Sequence, residues 1–492
     1  MKLSQNLIVR TARERCRSLC SNPSDALPAV LVLLSYLVIL VLAPPAIITG
    51  DSPSYKDPFV THNLAGIVDS LTGHGLRQIF PVAANEILGN YRLIISVQLV
   101  TMGTSAAYLV RGFSKLPLPP AARLVTGIAA AAIVASPSIA GYGVHILSEA
   151  WTLVFTMAMM GAALRIANSS RTPTTDLAVM TIAGIAMSLM RVQLLPLWLL
   201  LAVATWWLVR DFRSPRLLVT LLTTGVIGLV VVIAWWQSNL NYWQTVGTGR
   251  GEISMIYQLT NFSPIAPDVA AQLSTTNPPP RCLSAVEFPL PRDPLVPMNV
   301  APSITGCPAA RRWADSFESG YIAMLLRHPT LIYRYLSWGI PRSMANPTSP
   351  PVVSPVPKPL SELVMGSTSE SYGDGVFGAE YSPGRQTEAA TVQDPVYLMW
   401  LAALICLLTG WRPWRGSRWL PQAITAFLAS TVAFAMAVFS SIAIPDTILE
   451  MARLGVAQNL AVRTTLLWAL ALLSVHAVRS LRSTSSQASA TD

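Results

Sequence analysis

The sequence predicts an all-α polytopic membrane protein with about ten transmembrane helices. Three observations predict it. Apolar runs of bilayer-spanning length recur along the chain, charge is sparse, and lysine and arginine favour one of the two sides that those runs define. Hydrophobic residues make up 52% of the 492 and charged residues 12%, about half the charged share of a soluble domain. Mean hydropathy is +0.48. No strict apolar–polar alternation over about ten residues occurs, which argues against a transmembrane β-barrel.

Ten runs qualify: 29–48, 93–110, 124–139, 150–167, 177–190, 194–209, 217–236, 396–409, 423–443 and 460–478. Most approach the about 20 residues that cross the hydrocarbon core; the third and fifth are short. The first follows a basic head, 1–28. It is longer than a signal-peptide apolar region, so an uncleaved first span is expected.

Orientation follows from lysine and arginine, which concentrate on the cytoplasmic side. With the N-terminus in the cytoplasm, 18 of the 34 basic residues face inward and 6 lie in or beside the short outward loops. The other 10 lie in one long outward segment, where charge does little to set topology. Both termini are then cytoplasmic. The net charge of +10 comes largely from the inward anchors. It requires no nucleic-acid partner, and no recognition motif for one is present.

The expected organisation is a core at 29–236 with a first outer loop at 49–92, an extracytoplasmic segment at 237–395, C-terminal helices at 396–478 and a disordered Ser/Ala/Thr-rich tail at 479–492. The outer segment is Pro-rich. Within it, Trp313, Phe317, Tyr321, Met324 and Leu325 recur at helical spacing, and Pro329 suits the start of a second helix through Tyr335 and Trp338. Residues 365–393 read as a mobile loop. The segment also holds Cys282 and Cys307. On an oxidising face these would form a disulfide, with metal binding as the alternative; no histidines lie nearby to complete a metal site.

Ionisable residues collect at the outward ends of the spans. The loop after the first run holds Asp51, Tyr55, Lys56, Asp57 and Arg77; His145 and Glu149 precede the fourth run; Arg191 follows the fifth; Glu450 and Arg453 precede the last. Groups this close to hydrocarbon are costly unless they pair, face a cavity or bind something. Helix caps and structural ion pairs account for such residues as readily as function does, and Glu149 suits the positive end of a helix dipole. As a set, arginines and carboxylates on one face suit an anionic lipid head group, with arginine to hold phosphate and a carboxylate as base.

The order of these motifs resembles the polytopic glycosyltransferases of the GT-C superfamily, the group of protein O-mannosyltransferases and aminoarabinose transferases. Gly50-Asp51-Ser52-Pro53-Ser54-Tyr55 follows the first span, as the catalytic-acid loop does there, and Thr72-Gly73-His74-Gly75-Leu76-Arg77 leads toward the second. Gln98 lies inside span two, Ser136-Pro137 and Leu147-Ser148-Glu149-Ala150 precede span four, and Met190-Arg191-Val192 leads into span six. Arg327-His328-Pro329 and Glu450-Met451-Ala452-Arg453 are also similar to family segments. Four patterns differ. Many relatives carry an acidic pair where this chain has Gly50-Asp51, and often Arg-Pro where it has Arg191-Val192. Neither Trp-Trp-Asp-Tyr-Gly nor Asp-x-Asp occurs, which argues against an oligosaccharyltransferase subunit and against a metal-bridged nucleotide-sugar enzyme.

The resemblance implies a plasma-membrane enzyme of bacterial cell-envelope biogenesis. It would move a sugar from a polyprenyl-phosphate donor to an extracytoplasmic glycan, lipid or protein acceptor with inversion. Asp51 would be the general base, with Lys56, Arg191 and Arg453 on the donor phosphate. Tyr55, Asp57, Arg77, His145, Glu149 and Glu450 would contact substrate. The resemblance assigns no definite cofactor. Some relatives use a divalent cation, which here would fall to Asp51 and Glu149. The competing classes are a transporter or flippase of envelope lipids and a non-catalytic accessory subunit. A transporter calls for ionisable groups at mid-depth and internal repeats, and the spans carry almost no mid-depth charge.

Overall fold

The computed structural model describes residues 23–42, 91–144, 148–169, 174–208, 223–231, 233–234, 237, 281, 309, 396–410, 420–443 and 455–488. Within these the protein is all-helical and carries no strand. The helices are α1 (Pro23–Val41), α2 (Tyr91–Phe113), α3 (Pro120–Val134), the single turn α4 (Pro137–Ala140), α5 (Ser148–Ala167), α6 (Thr174–Met190), α7 (Leu195–Leu208), α8 (Val396–Gly410), α9 (Leu420–Ala443) and α10 (Val456–Ala488).

Four helices contain stretches long and apolar enough to cross a membrane: Leu93–Phe113, Ser148–Ala167, Leu420–Ala437 and Val456–Ser474. Shorter apolar stretches occupy Ala26–Val41, Pro120–Val134, Thr174–Met190 and Leu195–Ala204. The chain is therefore a membrane-embedded helical protein. The described residues give four full-length spans where the apolar runs led us to expect ten. Proline shortens several of the others. α1 begins at Pro23, a residue suited to the first helical position, and ends before Pro44 and Pro45 instead of running to 48. α3 begins at Pro120 and stops at Val134, since Pro137 disfavours helical geometry at Ser136.

The last helix extends well beyond its apolar stretch. α10 runs 33 residues, and the expected tail at 479–492 is helical as far as Ala488. Residues 475–488 contain no Gly or Pro, so once the span has nucleated the helix nothing stops its propagation.

α5 and α10 are the inner helices, with 72% and 83% of their apolar stretches buried. The core holds Leu153, Met157, Met160 and Leu164 of α5, Leu99, Met102 and Leu109 of α2, Trp198 of α7, and Leu466 and Trp468 of α10. Outer positions such as Leu34, Val38, Val226 and Leu229 leave large apolar side chains uncovered, as a lipid-facing surface requires. α2 crosses α5 closely because Gly161 has no side chain: a Cβ there would lie 2.9 Å from the Leu109 backbone. Tyr36 joins α1 to α3, its hydroxyl donating to the Val134 carbonyl at 2.9 Å.

Candidate functional site

Two of the residues selected from sequence meet. Glu149 is the second residue of α5 and Arg191 immediately follows α6. Nη2 of Arg191 donates to Oε1 of Glu149 at 2.5 Å. Both residues are buried, at 2% and 8% exposure. An ion pair out of water holds only when its geometry is good and its remaining polar atoms are served. Ser148 serves one of them, its hydroxyl donating to Oε2 of Glu149 at 3.2 Å. The Arg191 backbone is held on both sides: its N–H donates to the Met187 carbonyl at 2.8 Å, and its own carbonyl accepts from Leu194 N–H at 2.9 Å. These bonds carry the end of α6 through a short turn, Val192–Leu194, into α7.

A second contact fixes the approach to Glu149. Gln98 lies buried in α2, and its Nε2 donates to the Gly143 carbonyl at 3.1 Å. Gly143 belongs to the turn Gly141–Val144 ahead of α5. It lies so close beneath α2 that a Cβ would meet Leu99 Cδ2 at 2.5 Å. Upstream, Ser136 Oγ donates to the Ile133 carbonyl, and the Ser136 carbonyl accepts from Ile139 and Ala140 N–H, turning the chain from α3 into α4.

Among the described residues the pair engages one guanidinium nitrogen of Arg191, a side chain with five N–H donors in a planar fork. A fork anchored on one side by a buried carboxylate is oriented, and a second anion could take the remaining donors in bidentate fashion. Glu149, charge-paired and hydrogen-bonded, is suited to orienting that fork and accepting hydroxyl hydrogen bonds. The plainer role fits the same geometry. An acid in the first turn of α5 and an arginine at the end of α6 each complement a helix dipole, and together they clasp two antiparallel helices.

Asp51, Tyr55, Lys56, Asp57, Arg77, His145, Glu450 and Arg453 lie outside the described residues, as do Cys282 and Cys307, the outer-segment helices and the loop at 365–393. Among the described residues no group of three or more His, Cys, Asp or Glu side chains is arranged to hold a metal ion.

Several buried polar groups escaped the sequence reading. Ser188 and Gln193 flank Arg191, and Ser188 Oγ and Gln193 Nε2 are buried with no hydrogen-bond partner among the described residues. Gln458 and Asn459 are buried in the first turn of α10, and Arg463 Nε donates to Asn459 Oδ1 one turn later. A third ensemble occupies the other end of α5 and α6. There Arg165 Nε donates to Asp176 Oδ1 at 2.9 Å, Tyr108 Oη donates to the same oxygen at 2.5 Å, and the Arg165 guanidinium lies 5.0 Å from the Tyr108 ring centroid. Comparison of the chain with protein-family models, curated proteins and solved structures gives no match.

Proposed function

We propose that this protein is an integral-membrane glycosyltransferase that moves a sugar from a polyprenyl-phosphate carrier to an extracytoplasmic acceptor of the cell envelope. In this reading both termini are cytoplasmic and the reaction takes place on the outer face of the plasma membrane. What supports it is the buried Glu149–Arg191 pair: two residues taken from separate motifs of a GT-C-like order lie in contact, and one is an arginine oriented by a carboxylate. The lysine and arginine count supports the sidedness.

Asp51 accepts the proton of the acceptor hydroxyl while that oxygen bonds to the anomeric carbon from the face opposite the phosphate. The bond from the anomeric carbon to the phosphate oxygen breaks, and the lipid phosphate leaves with its electron pair. General-base assistance of this kind is worth about 10²- to 10⁴-fold. Arg191, with Lys56 or Arg453, meets the charge on the leaving phosphate. Tyr55, Asp57, Arg77, His145, Glu149 and Glu450 contact the sugar or acceptor.

The test uses the purified full-length chain with a polyprenyl-phosphate sugar and envelope acceptor fractions. Asp51→Asn should be made and inserted at normal levels, transfer no sugar, and leave lipid-linked sugar accumulating on the outer leaflet in cells. Near-normal transfer by that variant removes Asp51 from the base role. Accumulation on the inner leaflet, with no transfer by the pure protein, identifies a flippase. Transfer restored only by a second protein identifies an accessory subunit.

A further inference from the structure

We propose that Ser188 and Gln193, on either side of Arg191, donate hydrogen bonds to the lipid phosphate that Arg191 meets, an inference that rests on the sugar-transfer reading. Arg191 holds Glu149 through Nη2, the one guanidinium nitrogen engaged among the described residues. The rest of the planar fork is left to an anion.

Ser188 stands three residues before Arg191 in α6. It is fully buried, and its hydroxyl has no hydrogen-bond partner among the described residues. A helical hydroxyl commonly donates to the carbonyl four residues back, as those of Thr152, Thr156, Thr464 and Thr465 do in α5 and α10. Ser188 makes no such bond to Gly184, so its hydroxyl is available to another acceptor. Gln193 stands two residues after Arg191, in the turn between α6 and α7, and its Nε2 is likewise buried without a partner among the described residues. An amide nitrogen only donates, and a buried donor left unmet is costly. Donors on both sides of a guanidinium suit a ligand that is anionic and rich in acceptors, as a phosphate is.

The helix brings these groups to one face. At about 100° per residue, Gly184, Ser188 and Arg191 fall within about 60° of each other around α6, and the Arg191 N–H still donates to the Met187 carbonyl in helical fashion at 2.8 Å. Trp198 of α7 covers that face one turn deeper, its Nε1 only 2.4 Å from where a Cβ on Gly184 would lie. A ligand on this face therefore reaches Ser188 and Arg191 and stops. Depth selects a lipid phosphate over a dissolved one. The apolar stretch of α6 ends at Met190, so Arg191 and Gln193 stand just beyond its edge, at the level of lipid head groups.

The test uses the full-length chain, purified and delipidated in a neutral detergent, with a polyprenyl phosphate, the matching polyprenol and inorganic phosphate as probes. The polyprenyl phosphate should raise the unfolding midpoint of the wild type, whereas the other two at equal concentration should not. Ser188→Ala and Gln193→Leu should each weaken that effect about tenfold in apparent affinity. Without ligand their midpoints should match or exceed that of the wild type, because neither variant removes a hydrogen bond from the free protein. Wild-type affinity in either folded variant overturns the proposal, and should one variant fail to fold the other decides. A lowered ligand-free midpoint with affinity kept overturns it too, by showing a purely structural role. So does an equal response to polyprenol or to inorganic phosphate, the latter marking a site for free phosphate. Sugar transfer by the same proteins keeps the two readings apart. Wild-type transfer that both variants retain in full, at full donor affinity, overturns this proposal alone. No transfer by the wild type, with the expected losses of polyprenyl phosphate binding, overturns the transfer reading and supports the phosphate site.

Discussion

Arg191 donates to Glu149 across 42 residues of sequence, and the bond ties the end of α6 to the first turn of α5. The same two helices repeat the arrangement in reverse at their other ends, where Arg165 of α5 meets Asp176 of α6. Each helix carries an acid in its first turn and an arginine at or just beyond its last. Each charge thus faces the favourable end of its own dipole and an opposite charge on its neighbour. Glu149 and Arg165 are separated by about 24 Å along α5, at 1.5 Å per residue. The pair is clasped at both ends.

The buried clasp predicts a double-mutant cycle. Glu149→Gln leaves the Arg191 guanidinium buried without its counter-charge, and Arg191→Gln does the same to the carboxylate. Either change should cost about 3–5 kcal/mol of stability, whereas the doubly neutral variant should recover most of it. Thermal unfolding of all four proteins in detergent measures the cycle. Under the proposed function, sugar transfer by the double variant then separates the two roles. If the pair only clasps helices, transfer returns with stability; if Arg191 meets the donor phosphate, transfer stays lost.

Glu149 and Arg191 were legible in the sequence because charged residues stand out at the edge of apolar runs, where hydrocarbon makes them expensive; Gln98 was legible only through the order of motifs. The members of the second clasp were not legible. Asp176 reads as an ordinary first-turn acid and Arg165 as an interfacial anchor. Only the packing of α5 against α6 and α2 brings them together with Tyr108. Helix ends were misplaced for a related reason. Hydropathy marks where lipid begins, whereas backbone bonding continues until proline or a cap ends it, as Pro137 does for α3 and as nothing does for α10 before Ala488.

The second clasp gives a graded prediction. Tyr108→Phe removes one hydrogen bond to the Asp176 carboxylate and keeps the ring under Arg165, so it should cost about 1.5–3 kcal/mol. Tyr108→Leu also removes the ring, and the loss of the cation–π contact should add about 0.5–2 kcal/mol. Unfolding midpoints in the order wild type, Phe, Leu check this. Equal values for Phe and Leu would mean that Arg165 gains nothing from the ring.

Two glycines should respond in opposite directions to the same change. At Gly161 an added Cβ lies 2.7 Å from Tyr108 Cδ1 and 2.9 Å from the Leu109 Cα. The backbone cannot yield locally, so Gly161→Ala should force α2 and α5 apart at a cost of about 1–3 kcal/mol. At Gly225, also helical, nothing lies within 4 Å of the added atom. Gly225→Ala should therefore be neutral or stabilising, by up to about 1 kcal/mol from helix propensity. Folded yield and unfolding midpoint of the two variants, compared directly, test the close crossing of α2 and α5.

Gln98→Leu tests how the turn before α5 is held. Leucine nearly preserves the volume but cannot donate to the Gly143 carbonyl, which is buried beneath α2. A buried acceptor deprived of its donor costs about 1–3 kcal/mol, so the unfolding midpoint should fall. The larger consequence is positional. Gly143 lies five residues before Ser148, the first residue of α5, so a shift of the turn passes to Glu149 and through it to Arg191. Positioning errors near 1 Å at a reacting centre can cost about 100-fold in rate. If the proposed function holds, sugar transfer per folded molecule should therefore fall in Gln98→Leu while the Arg165–Asp176 end is undisturbed. Unchanged specific transfer at a lowered midpoint would limit Gln98 to holding the turn.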